Sequence, residues 1–374
     1  MTEDRLRIGM FSPYSLTVPG GVQAQVLGLA SAIRRRGHEV RVLGPCDGPP
    51  PASFVTPLGN SLPTAANGSI VPLAPDPAAV LRTVRVLRDE RFDVWHIHEP
   101  FVPGPTLTAL TLHSRPVVAT FHAAGRSSGY RVLRNVLAPL MKRIDHAVAV
   151  SPDAAALVHE HLGGEFEVLF NGVEGVGTVT PDRDLDGTPS VLFIGRHEER
   201  KGLHVLLEAV DQLASMGSVA PVCWIIGDGP ETPRLRQRYS DPTRFRWFGR
   251  VSDTEKAARL KSATVLAAPS LRGESFGIVL LEGMAAGAVV VASDIDGYRN
   301  VATNGLDARL VAPGDVAALA AALGELFDDP DLRRDLRSAG TRRADGFSMD
   351  RLAEIYLERY RMVLGAPIRA GEHP

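Results

Sequence analysis

The chain has 374 residues, 22% charged and 44% hydrophobic, which is long enough for two packed domains and too apolar for a disordered chain. Lys and Arg number 41 and Asp and Glu 43, a formal net charge of −2, so a whole-protein basic field for wrapping nucleic acid is excluded. Two cysteines, Cys46 and Cys223, cannot build a disulfide framework or a zinc knuckle, and buried reduced thiols are expected.

In chain order, the polar segment Met1 to Arg7 lacks the apolar core of a secretion signal, and a cytosolic protein is expected. A first strand over Arg7 to Phe11 leads to Pro13-Tyr14 and then to Pro19-Gly20-Gly21-Val22-Gln23 before a helix over Val22 to Arg36. Paired glycines permit positive φ and close approach to a ligand, and a helix start offers free N–H groups to a phosphate. A plain tight turn is the other reading. Further strands are expected over Glu39 to Leu43, Asp93 to His98, Val117 to His122, His146 to Val150 and Phe166 to Phe170. Between them, Gly44 to Pro77 is proline-rich and too long for an ordinary connection, so it reads as a functional loop or a disordered excursion. Next, Arg82, Arg85, Arg88 and Arg91 recur at steps of three beside Leu81, Val84 and Leu87. That pattern suits either an ordinary surface helix or a basic amphipathic helix lying on an anionic leaflet. His96 and His98 share one strand face next to Glu99, but no third or fourth ligand is evident nearby, so a core or cleft-lining role is preferred to a metal. His122 ends its strand and is the better cleft candidate.

Asn171 to Pro189 is rich in Gly, Thr, Pro and Asp and reads as an interdomain linker. The second half starts again with strands over Ser190 to Gly195, Val222 to Gly227, Phe245 to Phe248, Thr264 to Ala268, Val289 to Ser293 and Arg309 to Val311. After the first of these, Arg196 and Lys201 stand where open α/β sheets bind ligands; they suit a diphosphate, or they belong to a solvated charged loop. Gly227-Asp228-Gly229 follows a strand too, but Thr232 occupies the third glycine of the dinucleotide fingerprint, which argues against a nicotinamide enzyme. The segment Arg272 to Glu282 carries Glu274 and Glu282 eight positions apart. On a helix that spacing gives roughly 12 Å of rise and a turn of about 80°, which suits two contacts on one elongated ligand. It does not suit the paired-acid geometry of glycosidases. The helix start over Ser275 to Ile278, with Phe276 and Gly277, can present N–H groups to phosphate, and Glu282 in so apolar a run needs a partner such as a ribose diol. Asp294 and Asp296 form a D-x-D that reads as a loop rather than a metal site, and a last helix runs from about Met349 to Leu364.

The alternation of strands and helices predicts an α/β fold with two parallel sheets. Several segments together resemble the retaining glycosyltransferases of family 4, with the GT-B fold: Pro13-Tyr14-Ser15, Val18 to Gln23, His96 to Pro100, Val118 to His122, Asn171-Gly172-Val173, Gly195 to Gly202 and Gly273 to Leu281. Within the family they are similar to the phosphatidylinositol alpha-mannosyltransferase branch. The resemblance implies two Rossmann-like domains facing a central cleft. Residues 1–172 would bind the acceptor, with the helix at about 349–374 able to pack back on them, and residues 173–348 would bind the nucleotide sugar.

Carried over residue by residue, Gly20 and Gly21 would meet the donor diphosphate and Arg196 and Lys201 would neutralise it. Glu274 would contact the donor sugar and Glu282 the ribose, with Phe276, Gly277 and Ile278 at the diphosphate. Val251 and Lys256 would lie at guanine, His122 near the transferred sugar, and Tyr14, Gln23, Asn67 and Ser69 on the acceptor side. The catalytic set would be His122, Glu274, Arg196 and Lys201, with no metal and no cofactor. GDP-mannose would be the donor and a lipid such as phosphatidyl-myo-inositol the acceptor, at the inner face of the plasma membrane. Another donor or acceptor, or a non-catalytic sugar- or lipid-binding relative, stands as the alternative. The acceptor-side motifs depart from the branch: Ala66 replaces a tyrosine, Pro72 an arginine expected on the lipid phosphate, Thr17 an aspartate, and Ala123-Ala124 a Thr-Ser pair.

Overall fold

The computed structural model describes residues 5–66, 69–112, 114–123, 128–174, 189–215, 221–274 and 276–365. They form two compact units, one of residues 1–172 with 349–374 and one of residues 173–348.

The first unit runs β1 (Arg7–Phe11), α1 (Gly21–Arg35), β2 (Glu39–Gly44), β3 (Val55–Pro57), β4 (Leu62–Ala66), β5 (Ser69–Leu73), α2 (Pro77–Asp89), β6 (Val94–His98), α3 (Pro105–Thr111), β7 (Val117–Phe121), α4 (Ser128–Val132), α5 (Arg134–Met141), β8 (His146–Ala149), α6 (Pro152–Leu162) and β9 (Glu167–Val168). Its parallel sheet has the order β3-β2-β1-β6-β7-β8-β9. Both faces are covered, as a parallel sheet requires. On β1, Ile8 and Met10 point into a cluster with Val26, Leu29 and Ile33 of α1, while Phe11 joins Trp95, Ile97 and Phe121 on the other side. Each such fully buried side chain contributes about 1.5–3 kcal/mol relative to exposure.

The second unit runs β10 (Ser190–Ile194), α7 (Leu203–Ser215), β11 (Val222–Ile226), α8 (Thr232–Arg238), β12 (Phe245–Gly249), α9 (Asp253–Ser262), β13 (Val265–Ala268), α10 (Ile278–Ala286), β14 (Val289–Ser293), α11 (Asp296–Arg299), β15 (Arg309–Val311), α12 (Val316–Asp328) and α13 (Pro330–Asp345). Its parallel sheet has the order β12-β11-β10-β13-β14-β15. The last helix, α14 (Met349–Val363), belongs to the first unit. There Leu352, Tyr356 and Tyr360 are buried in the same cluster as α1.

In each sheet the winding reverses between two neighbouring strands, β1 and β6 in the first and β10 and β13 in the second. Ligands of open α/β sheets bind outside the carboxyl ends of strands at such a reversal. The loops after those four strands are therefore the places to look for a site.

Two expectations need correction. Gly44 to Pro77, expected as a functional loop or a disordered excursion, carries three strands among its described residues, which corrects the second of these. Val55 and Leu58 are buried and bring β3 onto the sheet edge. Residues 62–66 and 69–73 pair as an antiparallel hairpin, with Pro63 opposite Pro72. Among the described residues no further strand lies beside this ribbon, and such a ribbon tolerates prolines that a central strand would not. The strand expected over Phe166 to Phe170 shrinks to Glu167–Val168 at the other sheet edge.

Candidate active site

In the second unit, the loops after β10 and β13 are strapped together. A short turn at Glu199–Lys201 closes on Gly202, whose φ is +67°. A Cβ there would lie 1.9 Å from the Pro269 carbonyl oxygen, so glycine is required for the first loop to approach the second. Leu271 N donates to Arg200 O at 2.7 Å, completing the strap. Across it, Glu274 Oε1 accepts three hydrogen bonds, from Lys201 Nζ at 2.6 Å, from Arg200 Nη1 at 3.2 Å and from Ser270 Oγ at 3.1 Å. Tyr298 OH donates to Ser270 Oγ at 2.8 Å. Burial, reinforced by the Glu274 charge, pushes the Tyr298 hydroxyl far up, so it remains a neutral donor. Arg200 also bonds Glu198 at 2.9 Å, and Arg196 reaches the other Glu198 oxygen at 2.9 Å while half exposed. Arg196, Arg200 and Lys201 thus face Glu198 and Glu274 at the sheet reversal. Arg200 was missed by the sequence reading, although it lies in the same basic run as Lys201. Ser270 and Tyr298 gave no sequence signal.

Glu274 precedes the helix, because α10 starts at Ile278 behind Gly277. The eight-residue helical geometry expected for Glu274 and Glu282 therefore does not apply. Gly277 has φ +94°, and a Cβ on it would lie 2.7 Å from the Tyr298 ring, so the chain turns there tightly enough to start the helix late. Phe276 is buried against Phe347 with ring centroids 5.8 Å apart. Ser275 lies outside the described residues. Glu282, on α10, is half-buried and already partnered: Lys256 Nζ of α9 donates to its Oε1 at 2.8 Å. That ion pair meets, within the chain, the need for a partner expected of Glu282. Val251 is half-buried just before Ser252, which caps α9 by accepting from Glu255 N at 3.2 Å. The structure thus brings Lys256 and Glu282 together, and Lys201 and Glu274.

In the first unit, Gly20 and Gly21 precede and open α1. Neither has positive φ, which corrects the expected reason for them. Instead a Cβ on Gly20 would lie 2.4 Å from Gln23 Oε1, so glycine makes room for the buried Gln23 amide, whose Nε2 donates to Ser15 O at 3.4 Å. The α1 start has no side-chain cap and no acidic residue in its first turn. Tyr14 bridges to Leu73 of the hairpin, and burial followed by the Glu99 charge pushes its hydroxyl up.

The loops after β6 and β7 meet at Glu99. Its φ of +49° is uncommon for a non-glycine residue. That turn aims the buried carboxylate at the backbone N–H groups of His122, 2.5 Å, and Ala123, 2.6 Å. The Tyr130 hydroxyl also bonds it. Burial raises the Glu99 pKa, with those donors opposing. His122 Nε2 lies 2.9 Å from His98 Nδ1. Burial holds His122 and His96 down at about 3 and lowers His98 well below its ordinary value, so one neutral imidazole donates to the other. His96 is a core residue bonded to Tyr360 OH and Thr120 Oγ1, both at 2.7 Å, and Thr120 Oγ1 is 2.8 Å from Tyr356 OH. Glu99, Tyr130 and the α14 tyrosines were missed; the Glu99 position beside His98 was the available signal.

Asn67 and Ala124 lie outside the described residues, and Ser69 starts β5 opposite Ala66. Arg82, Arg85 and Arg88 are exposed on α2, where Arg85 and Arg88 pair with Asp89 at 3.5 and 3.1 Å. Arg91 falls beyond the helix end, which shortens the expected stripe. Asp294 and Asp296 are both taken by Arg299, at 2.6 and 2.8 Å. Among the described residues no three His, Cys, Asp or Glu side chains are grouped to hold a metal, and no helix is long and apolar enough to cross a membrane. Cys46 and Cys223 are free and buried.

Comparison with known proteins adds to this geometry. Residues 182–343 match the family model described as glycosyl transferases group 1, and residues 19–174 that of glycosyltransferase family 4. A phosphatidyl-myo-inositol mannosyltransferase of Mycobacterium leprae is 40% identical over 367 residues, covering 96% of this chain and 97% of the relative. One from Propionibacterium freudenreichii is 34% identical, covering 89% and 88%. Among solved structures, a glycosyltransferase from Rickettsia africae superimposes with a TM-score of 0.76 at 18% identity, covering 97% and 99%. The chain is a glycosyltransferase of family 4, and within it belongs with the phosphatidyl-myo-inositol mannosyltransferases.

Proposed function

We propose that the protein is a retaining, metal-independent mannosyltransferase that moves mannose from GDP-mannose to phosphatidyl-myo-inositol at the cytoplasmic membrane face. The observation that carries this reading is the Lys201–Glu274–Arg200 cluster at the sheet reversal of the second unit. A leaving nucleoside diphosphate gains negative charge as the glycosidic bond breaks. Cations fixed in advance stabilise that charge without reorganising, and in many enzymes such stabilisation supplies most of the rate enhancement. Lys201, Arg200 and Arg196 supply the cations; Glu274 holds two of them in place and accepts from sugar hydroxyls. Glu282, oriented by Lys256, accepts from the ribose, and Lys256 with Val251 borders the base. The α1 start of the first unit, at Gly20 and Gly21, offers N–H groups to a diphosphate. In the first unit, His122 borders the transferred sugar, and Tyr14, Gln23, Asn67 and Ser69 bind the acceptor. Same-face attack assisted by the leaving phosphate needs no protein nucleophile. The exposed arginines of α2, beside exposed Leu81 and Val84, favour an anionic leaflet.

One feature favours a second acceptor. Pro72, in β5, stands where the branch carries an arginine, and it offers no charge to a lipid phosphate. Another inositol lipid or a different hydroxyl is the alternative. Incubation with radiolabelled GDP-mannose and a membrane lipid extract, followed by mass spectrometry of the product, tests the reading. A mannosylated phosphatidylinositol is expected. A product on another lipid would overturn the acceptor alone. GDP binding by calorimetry with no transfer from any nucleotide sugar would identify a non-catalytic relative.

A further inference from the structure

One carboxylate ties the loop after β1 to two other segments. Asp47, in the loop after β2, accepts on Oδ2 from the Ser15 hydroxyl at 2.6 Å and the Ser61 hydroxyl at 2.7 Å, and on Oδ1 from the Ser61 backbone N–H at 2.6 Å. Its own backbone N–H donates to Thr17 Oγ1 at 2.9 Å, and Thr17 Oγ1 lies 3.0 Å from Ser15 Oγ. Backbone bonds run beside these: Leu16 N donates to Pro45 O and Cys46 N to Gly59 O, both at 2.8 Å. Segments 15–17, 45–47 and 59–61 thus close on Asp47. Burial opposes its charge, but the donors from Ser15 and Ser61 outweigh it and hold the carboxyl below its ordinary range, so it is ionised near neutral pH.

Ser15 passes this constraint on. It is fully buried. Its N–H donates to Pro72 O of β5 at 3.0 Å, and its carbonyl accepts from Val18 N at 3.3 Å and from Gln23 Nε2 at 3.4 Å. Tyr14, its neighbour in the chain, bridges to Leu73 at the end of the same strand. Tyr14, Gln23 and the hairpin strand that begins at Ser69 therefore all hang from Ser15. We infer that Asp47 is a positioning residue for the acceptor half of the site: its carboxylate fixes the Ser15 hydroxyl, and through Ser15 it sets Tyr14, Gln23 and the hairpin relative to one another. Without Asp47 the buried Ser15 hydroxyl loses its charged partner, and the loop relaxes to find another. The Lys201–Glu274 cluster lies in the second unit and should keep its geometry. This role rests on the assignment of the acceptor to the first unit.

Steady-state transfer from labelled GDP-mannose to phosphatidylinositol in mixed micelles, with each substrate varied in turn, tests it on the full chain. Asp47→Ala should raise the acceptor KM about tenfold or more and leave the GDP-mannose KM within about twofold. Asp47→Asn keeps one accepting oxygen and loses the charge, so its acceptor KM should fall between. Thr17→Asp added to Asp47→Ala should recover most of the loss, because Thr17 Oγ1 already lies within bonding distance of Ser15 Oγ and of the backbone N–H at position 47. General loosening of the fold raises both KM values alike and is not repaired by a carboxylate at position 17. Asp47 is exposed, and circular dichroism checks that the variants fold. Hydrogen–deuterium exchange adds a readout that needs no acceptor: in Asp47→Ala, peptides covering 12–23 and 59–63 should exchange faster and those of the second unit should not. An unmoved acceptor KM, a GDP-mannose KM that rises equally, or no recovery with Thr17→Asp overturns the role. If the unaltered protein transfers mannose to no lipid, the acceptor reading fails by itself; faster exchange at 12–23 then sustains the hold of Asp47 on these segments, and unchanged exchange overturns it.

Discussion

The two units present the same topological feature with opposite electrostatics. At the reversal in the second, the loops after β10 and β13 set Arg196, Arg200 and Lys201 against Glu198 and Glu274. At the reversal in the first, the loop after β6 carries buried His98 and Glu99 to His122, and both imidazoles are neutral. On the proposed function, the difference follows from what each would hold. A diphosphate needs fixed positive charge, and partly exposed ion pairs keep that charge in place at little desolvation cost. A hydroxyl acceptor and a neutral sugar need donors and acceptors whose protonation does not wander near pH 7, and burial supplies that.

Substitutions on each side should show this difference in charge and burial. The largest effect is expected from Glu274→Ala, which frees both Lys201 and Arg200 and removes the proposed sugar contact. The turnover number should fall by about 10²–10³-fold with the fold intact, measured as label transferred per unit time. Loss of structure by circular dichroism, or undiminished turnover, would break the second-unit half of the contrast.

Next is pH. His96 and His122 titrate at about 3 in the folded chain and at about 6.5 when unfolded. Their contribution to stability is complete above pH 6.5 and is lost as pH falls toward 3, at about 1.4 kcal/mol per pH unit for each. His98 acts in the same sense; Glu99, raised by burial, acts in the opposite one, its contribution being lost as pH rises through its folded value. Urea unfolding at pH 7, 6 and 5 should show the decline, and a flat series would mean the histidines are solvated.

Gly202→Ala comes third. The strained φ and the contact with Pro269 O should cost about 1–3 kcal/mol in urea unfolding, with a fall in turnover as Lys201 is displaced. The smallest effect is expected from Arg85→Gln with Arg88→Gln on α2. Both arginines already pair with Asp89, so anionic-vesicle affinity by co-sedimentation should drop by less than about tenfold.

The parallel-sheet architecture was legible because strands buried on both faces write themselves as short Val/Ile/Leu runs, as in Val191 to Ile194 or Val289 to Ala292. The hairpin at 62–73 was not, since its prolines carry the same signal as a loop. At the site, Lys201 and Glu274 could be read because each follows a recognisable strand. Their direct bond could not, because 73 positions separate them and only the sheet order places β10 beside β13. Tyr298 and the tyrosines of α14 reach their partners through tertiary packing alone. Glu282 was misjudged because an apolar run suggests burial, whereas α10 turns that one carboxylate toward Lys256 on α9.

The most direct test of the account is the single-turnover rate of mannose transfer from labelled GDP-mannose by a Lys201→Ala variant. If Lys201 stabilises the departing diphosphate, the rate falls by about 10²–10³-fold while GDP binding weakens and the melting profile is kept. A rate equal to that of the unaltered enzyme would contradict it.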